Sequence, residues 1–213
     1  DLDFISCHAY YEEIDGDTQE FLTSAADMDL FIKQVVAVCD AAAAKHKSDK
    51  QIMISFDEWN VWYLTEWQKI EGKIPVDVWP TAPRLLEDSY NVKDAVVVGD
   101  LLITLLHHSD RVRSASLAQL VNVIAPIMTE PGGPTWRQTT FFPFSITSRL
   151  TAGESIPVDV ECPTVFSRKA NADVPTVNAV ATLDEKGISL FVVNRSLTDA
   201  FDLGVDLSQL AGG

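Results

Sequence analysis

Apolar positions along the chain follow two rhythms. Leu2–His8 is an apolar, strand-like run that predicts a short buried strand. Gln51–Phe56, closed by polar residues, has the pattern of a parallel strand covered on both faces. Between them Phe21, Ala25, Ile32, Val35, Val36 and Cys39 recur at helical intervals and predict one amphipathic helix over residues 18–46. Asp17, with Glu20 three residues on, has capping-box spacing with Asp in place of Ser or Thr, and acidic Glu12–Asp17 reads as the preceding loop. Asn91–His108 predicts a second helix with Val92, Ala95, Val96, Gly99, Leu102 and Leu106 on its apolar face. His107 and His108 fall in its last turn, where positive charge suits the helix dipole. A third apolar run, Ser116–Ile127, is interrupted by Gln119 and Asn122; a turn at Pro131–Pro134 and a short helix over Gln138–Leu150 follow.

Past residue 153 the texture changes. Thr176–Leu183 and Ile188–Asn194 are β-rich and joined by Asp184–Gly187, a hairpin signal. Phe201, Leu203, Val205 and Leu207 alternate with polar residues or glycine and predict a half-exposed strand. Residues 1–152 therefore read as β-α-β-α-β-α and residues 153–213 as an antiparallel module. Alternating strands and helices imply parallel strands with right-handed crossovers, in an open doubly wound sheet or in part of a (β/α)8 barrel. Three units cannot close a barrel. The chain also opens on a strand with no initiator Met, so we expect a segment of a longer protein.

Composition narrows the function classes. With 16 Lys and Arg against 31 Asp and Glu the formal charge is −15, which disfavours nucleic acid or an anionic membrane as partner. No apolar run approaches the roughly 20 residues of a membrane-spanning helix. Cys7, Cys39 and Cys162 are too few and scattered for a disulfide framework and suit reduced thiols in a cytoplasmic protein. His107 and His108 have only Asp110 nearby and are not read as a metal site, and nothing calls for a cofactor.

In both parallel architectures chemistry sits at the carboxyl ends of the strands, which here carry His8–Tyr10, Asp57–Asn60, and Gln119 with Asn122. Ser55–Tyr63, SFDEWNVWY, is the most informative of these stretches. A rigidly held carboxylate beside tryptophans offers the acid and the flat apolar wall that glycoside hydrolysis uses. Spacing alone leaves Glu58 open between that role and a capping or Arg-paired carboxylate. Gln119, polar in an apolar run, must be satisfied somewhere, and Trp62 is open between stacking wall and core. Residues 60–86, with Trp62, Trp67, Pro75, Trp79, Pro80 and Pro83, are too irregular for one element and suit a functional loop.

Taken together, HAYY at His8–Tyr11, SFDEWNVWY, and LAQLVNVIAPIMTEPGGPTWRQTTFFPF at Leu117–Phe144 resemble the C-terminal part of α-L-arabinofuranosidases of glycoside hydrolase family 51. The resemblance runs from the first residue to about Arg149 and more loosely beyond. It implies the C-terminal part of a catalytic (β/α)8 TIM barrel, about strands six to eight, over residues 1–152, and part of an antiparallel β-sandwich domain over 153–213. It implies a retaining mechanism, which needs two carboxyl groups about 5–5.5 Å apart. By the match Glu58 is the nucleophile, Tyr10 holds its carboxylate, Gln119 binds sugar hydroxyls, Trp62 lines the sugar subsite, and His8 lies beneath or against substrate. The family's acid/base belongs to an Asn-Glu motif, and this sequence has no Asn-Glu dipeptide, so that group is expected in the remaining N-terminal part of the same enzyme. The substrates implied are arabinan, arabinoxylan or arabino-oligosaccharides, and the assembly a homo-oligomer, commonly a hexamer. The alternatives are another retaining glycosidase of the same fold, an endo-β-glucanase, or a non-catalytic carbohydrate-binding fragment.

Overall fold

The computed structural model describes residues 2–208 apart from 72, 74–76, 79, 80, 82, 83 and 85; Pro75, Trp79, Pro80 and Pro83 of the irregular stretch, and residues 209–213, lie outside the described residues. The first strand, β1, spans Phe4–Tyr11 and leaves Leu2 and Phe4 about half exposed. This corrects the expectation of a strand buried from Leu2. It starts later, and its outer side has no strand neighbour in its sheet.

Asp17 does cap the following helix, its Oδ1 accepting the Glu20 N–H at 3.1 Å. The single helix expected over 18–46 is broken into α1, Thr18–Leu22, and α2, Ser24–Lys45. The break is Thr23, which is fully buried; its hydroxyl bonds the Glu20 carbonyl at 2.8 Å and the Ser167 hydroxyl at 3.0 Å.

The second strand, β2, spans Met53–Val61, longer than expected, so Asp57 and Glu58 lie within it rather than after it. Beyond it come a short helix α3, Leu64–Glu71, and α4, Val92–His107. Asn91 and Asp94 close a reciprocal capping box at the start of α4, as satisfied helix termini require. The third strand, β3, is Val112–Leu117. The strand expected at Ser116–Ile127 is therefore displaced. Residues 118–126 form a loop, in which Asn122 and Ile124 adopt positive φ of 63° and 39°.

Strands β1, β2 and β3 form a parallel sheet in that order, with β2 in the middle. Ile54, Phe56, Trp59 and Val61 of β2 pack with Met28 and Ile32 of α2 and Val97, Val98 and Leu101 of α4 into one core. Burying side chains of this size stabilises by about 1.5–3 kcal/mol each. Phe31 meets Phe56 edge to face at 5.9 Å.

A hairpin, β4 (Ile127–Thr129) and β5 (Thr135–Arg137), precedes α5, Phe141–Leu150. The rest of the chain is antiparallel. β6 (Glu154–Ile156) joins a sheet ordered β10-β9-β6, and β7 (Thr164–Ser167) pairs with β8 (Ala172–Pro175). β9 (Val177–Asp184) and β10 (Gly187–Asn194) form the expected hairpin. The strand expected at Phe201–Leu207 is not formed. Its alternating apolar residues find no partner strand among the described residues, and Leu203, Val205 and Leu207 stay exposed.

Side chains far apart in sequence attach the antiparallel part to the helices. Arg195 donates two bonds to Asp100 of α4, at 2.6 and 2.9 Å, and a third to the Pro175 carbonyl at 3.0 Å. Asn178 completes the Asp100 carboxylate with a bond of 2.8 Å. Glu20 accepts from the backbone N–H of Arg168 and Lys169 at 2.9 and 2.8 Å, docking the β7–β8 turn on α1.

Candidate active site

Alternation along β1 puts Ser6, His8 and Tyr10 on one face of the sheet. A regular β2 would put Asp57 and Glu58 on opposite faces. The register prevents this: Ser6 pairs with Ser55 but His8 with Glu58, and on the other side Phe56 pairs with Ala115 but Trp59 with Leu117. β2 thus carries one extra residue against both neighbours. Such a bulge re-aims side chains. Here Asp57 and Glu58 both reach the side chains of β1.

Tyr10 donates its hydroxyl to Glu58 Oε1 at 2.6 Å. His8 lies between the two carboxylates, Nδ1 at 3.3 Å from Glu58 Oε2 and Nε2 at 3.2 Å from Asp57 Oδ1. Asp57 in turn accepts hydroxyl bonds from Ser6 at 2.7 Å and Ser55 at 3.2 Å. The Ser6 bond in particular holds the Asp57 carboxyl below the usual carboxylate range. Burial, reinforced by the Glu58 carboxylate, pushes the Tyr10 phenol well above its ordinary value, so it remains a donor at neutral pH. Trp62 packs edge to face on Tyr10 at 5.0 Å, and its buried Nε1 has no hydrogen-bond partner among the described residues. The Glu58 side chain is 43 % exposed, so its carboxylate remains reachable.

Gln119 stands apart from these contacts. Its side chain is exposed and borders a hollow of about 480 Å³ with Leu117, Pro126, Phe141 and Phe144. Its loop is nevertheless tied to β2. Buried Asn60, two residues past Glu58, donates to the carbonyls of Ala118 at 2.5 Å and Ile124 at 2.6 Å. The peptide bond entering Gln119 is cis. Asn122 turns its amide onto Thr129, accepting from its N–H at 2.7 Å, which makes its role structural.

Sequence reasoning placed Asp57 and Asn60 at a strand end without giving either a role, and missed Ser6. The signal for Asn60 was a polar amide among apolar residues of β2; nothing local announced the bulge. His107 and His108, which the sequence did not read as ligands, meet Asn178 at 3.3 Å and Asp29 at 2.7 Å. Among the described residues no group of three or more His, Cys, Asp or Glu could hold a metal ion, and no helix is long and apolar enough to cross a membrane.

A strand-borne carboxylate gripped by a phenol, with an imidazole near its second oxygen and a tryptophan packed on the phenol, gathers residue types that glycoside chemistry uses. Comparison with known proteins specifies the family. Residues 57–213 match the model of the α-L-arabinofuranosidase C-terminal domain. The chain is 56 % identical to an intracellular exo-α-(1→5)-L-arabinofuranosidase of Streptomyces lividans, over 98 % of this chain and 31 % of that protein. It is 52 % identical to an exo-α-(1→6)-L-arabinofuranosidase of Bifidobacterium longum, over 98 % of this chain and 41 % of that protein. A solved family 51 α-L-arabinofuranosidase from Bifidobacterium longum superposes with a TM-score of 0.85 at 46 % identity, covering 91 % of this chain and 40 % of that one. The chain belongs to the family 51 α-L-arabinofuranosidases and corresponds to their C-terminal part. It spans less than half the length of these relatives.

Proposed function

We propose that this chain supplies the nucleophile half of a retaining exo-acting α-L-arabinofuranosidase, acting on terminal non-reducing α-L-arabinofuranosyl units of arabinan, arabinoxylan or arabino-oligosaccharides. The observation that carries this reading is the Glu58 carboxylate held by the Tyr10 hydroxyl at 2.6 Å on an accessible strand face. The names of the relatives support the same reaction. Glu58 attacks the anomeric carbon and forms a glycosyl ester as the leaving alcohol takes a proton from an acid/base carboxyl. That carboxyl lies on the N-terminal part of the same enzyme. Water then hydrolyses the ester with the acid/base acting as base. Tyr10 keeps the Glu58 carboxylate in its attacking orientation, Trp62 forms the wall of the sugar subsite, and Gln119 reaches the sugar hydroxyls. In this reading β1 to β3 are the last three strands of a (β/α)8 barrel over residues 1–152. Residues 153–213 are then part of a β-sandwich, the location is cytoplasmic, and the assembly is a homo-oligomer.

The test uses the full-length protein carrying this sequence. It should hydrolyse an aryl α-L-arabinofuranoside and not an aryl β-cellobioside, and Glu58→Gln should nearly abolish turnover with the fold intact. Azide should rescue Glu58→Ala on the activated substrate and yield the inverted glycosyl azide. Turnover by Glu58→Gln at the wild-type rate would remove Glu58 from the mechanism.

A further inference from the structure

We propose that Asp57 is a positioning residue, holding the His8 imidazole in place against the second oxygen of Glu58. This deepens the proposed function and rests on Glu58 being the nucleophile.

The argument is one of donors and acceptors. Ser6 donates its hydroxyl to Asp57 Oδ1, so at that corner the Ser6 oxygen and the Asp57 carboxylate are both acceptors. His8 Nε2 lies 3.1 Å from the first and 3.2 Å from the second. A carboxylate cannot donate, so the Nε2 position carries the hydrogen. The other ring nitrogen, Nδ1, faces Glu58 Oε2 at 3.3 Å. The ring therefore sits between the two carboxylates with its orientation fixed from the Asp57 side, and Glu58 is flanked at both oxygens, Oε1 by the Tyr10 hydroxyl and Oε2 by the His8 ring.

The bulge in β2 makes this possible, because it brings two adjacent carboxylates to the same imidazole. The remaining ionisable groups around His8 are few. Tyr10 shares its strand, and Asp27 of α2 and Lys169 of the β7–β8 turn border the hollow beside it. The two carboxylates of β2 have oxygens within 3.3 Å of the His8 ring nitrogens.

The experiment measures kcat and KM in the full-length protein, with an aryl α-L-arabinofuranoside whose phenolate leaves without acid help. Asp57→Asn should lower kcat by about tenfold to a hundredfold, with KM little changed. Melting temperature should change little, since Asp57 is exposed. Ser6→Ala should lower kcat in the same direction by less. Asp57→Asn combined with His8→Ala should be no slower than His8→Ala alone, because Asp57 acts only through the ring. An unchanged kcat, or losses that multiply in the double variant, would overturn the proposal while leaving Glu58 as nucleophile. A wild-type protein that does not cleave the arabinofuranoside would overturn both readings together.

Discussion

Among the side chains that contact Glu58, Tyr10 makes the shortest link, and its loss has a definite size. Tyr10→Phe removes one charge-assisted bond to the Glu58 carboxylate and keeps the ring that packs on Trp62. We expect kcat/KM to fall by about tenfold to a hundredfold, with little change in melting temperature. Steady-state kinetics on the aryl arabinofuranoside beside a thermal melt would check this, and unfolding of the variant would reassign Tyr10 to the fold. His8, Tyr10, Glu58 and Trp62 were legible in the sequence, because strand-end position and motif both marked them. Asp57 and Ser6 were not. Strict alternation assigns Asp57 to the face opposite Glu58, and only the extra residue in β2 reverses that assignment.

Two single positions decide the shape of the loops they serve. Asn60→Ala would leave the carbonyls of Ala118 and Ile124 without their buried donor. We expect a loss of about 2–3 kcal/mol in urea unfolding and a raised KM, as the loop bearing Gln119 drifts. An unchanged urea midpoint would mean that the loop holds itself. Gly153, between α5 and β6, has a φ of +74°, and a Cβ there would lie 2.0 Å from the Leu183 carbonyl oxygen. Gly153→Ala should therefore destabilise by more than about 1 kcal/mol and disturb the β6–β9 pairing, read as a lowered melting temperature. The run Ser116–Ile127 reads as a strand because apolarity is visible and a distant amide is not. Asn60 takes the carbonyls that a strand would have paired, so the chain loops instead. The helix over 18–46 breaks for a similar reason: the Thr23 hydroxyl bonds Ser167, 144 residues away.

The antiparallel part and the helices behave as partners through one buried ion pair. Asp100 and Arg195 are 1 % and 5 % exposed and fully bonded. Arg195→Met would leave a buried carboxylate without its cation, at a cost of about 3–5 kcal/mol. The double change Asp100→Leu with Arg195→Met should recover most of that loss, because an apolar pair leaves no orphaned charge. Chemical denaturation of the two variants decides it, and a double variant no more stable than the single would show that the contact serves packing rather than charge balance. No local pattern could have announced this pair. Its members lie 95 residues apart, one on an apolar helix and the other after a hairpin. The order of the main elements, from β1 through α2, β2, α4 and α5 to the β9–β10 hairpin, was legible by contrast, since period and turn chemistry are local properties; α3 and the short strands β4 to β8 were not.

β2 is the middle strand of the parallel sheet, flanked on both sides by neighbours of this same chain. That has a consequence in time. Amides of β2 pointing to β1 and β3 should be among the slowest in the molecule to exchange with deuterated solvent. The strand that bears Glu58 would then be among the last parts of the fold to open, keeping its carboxylate in register.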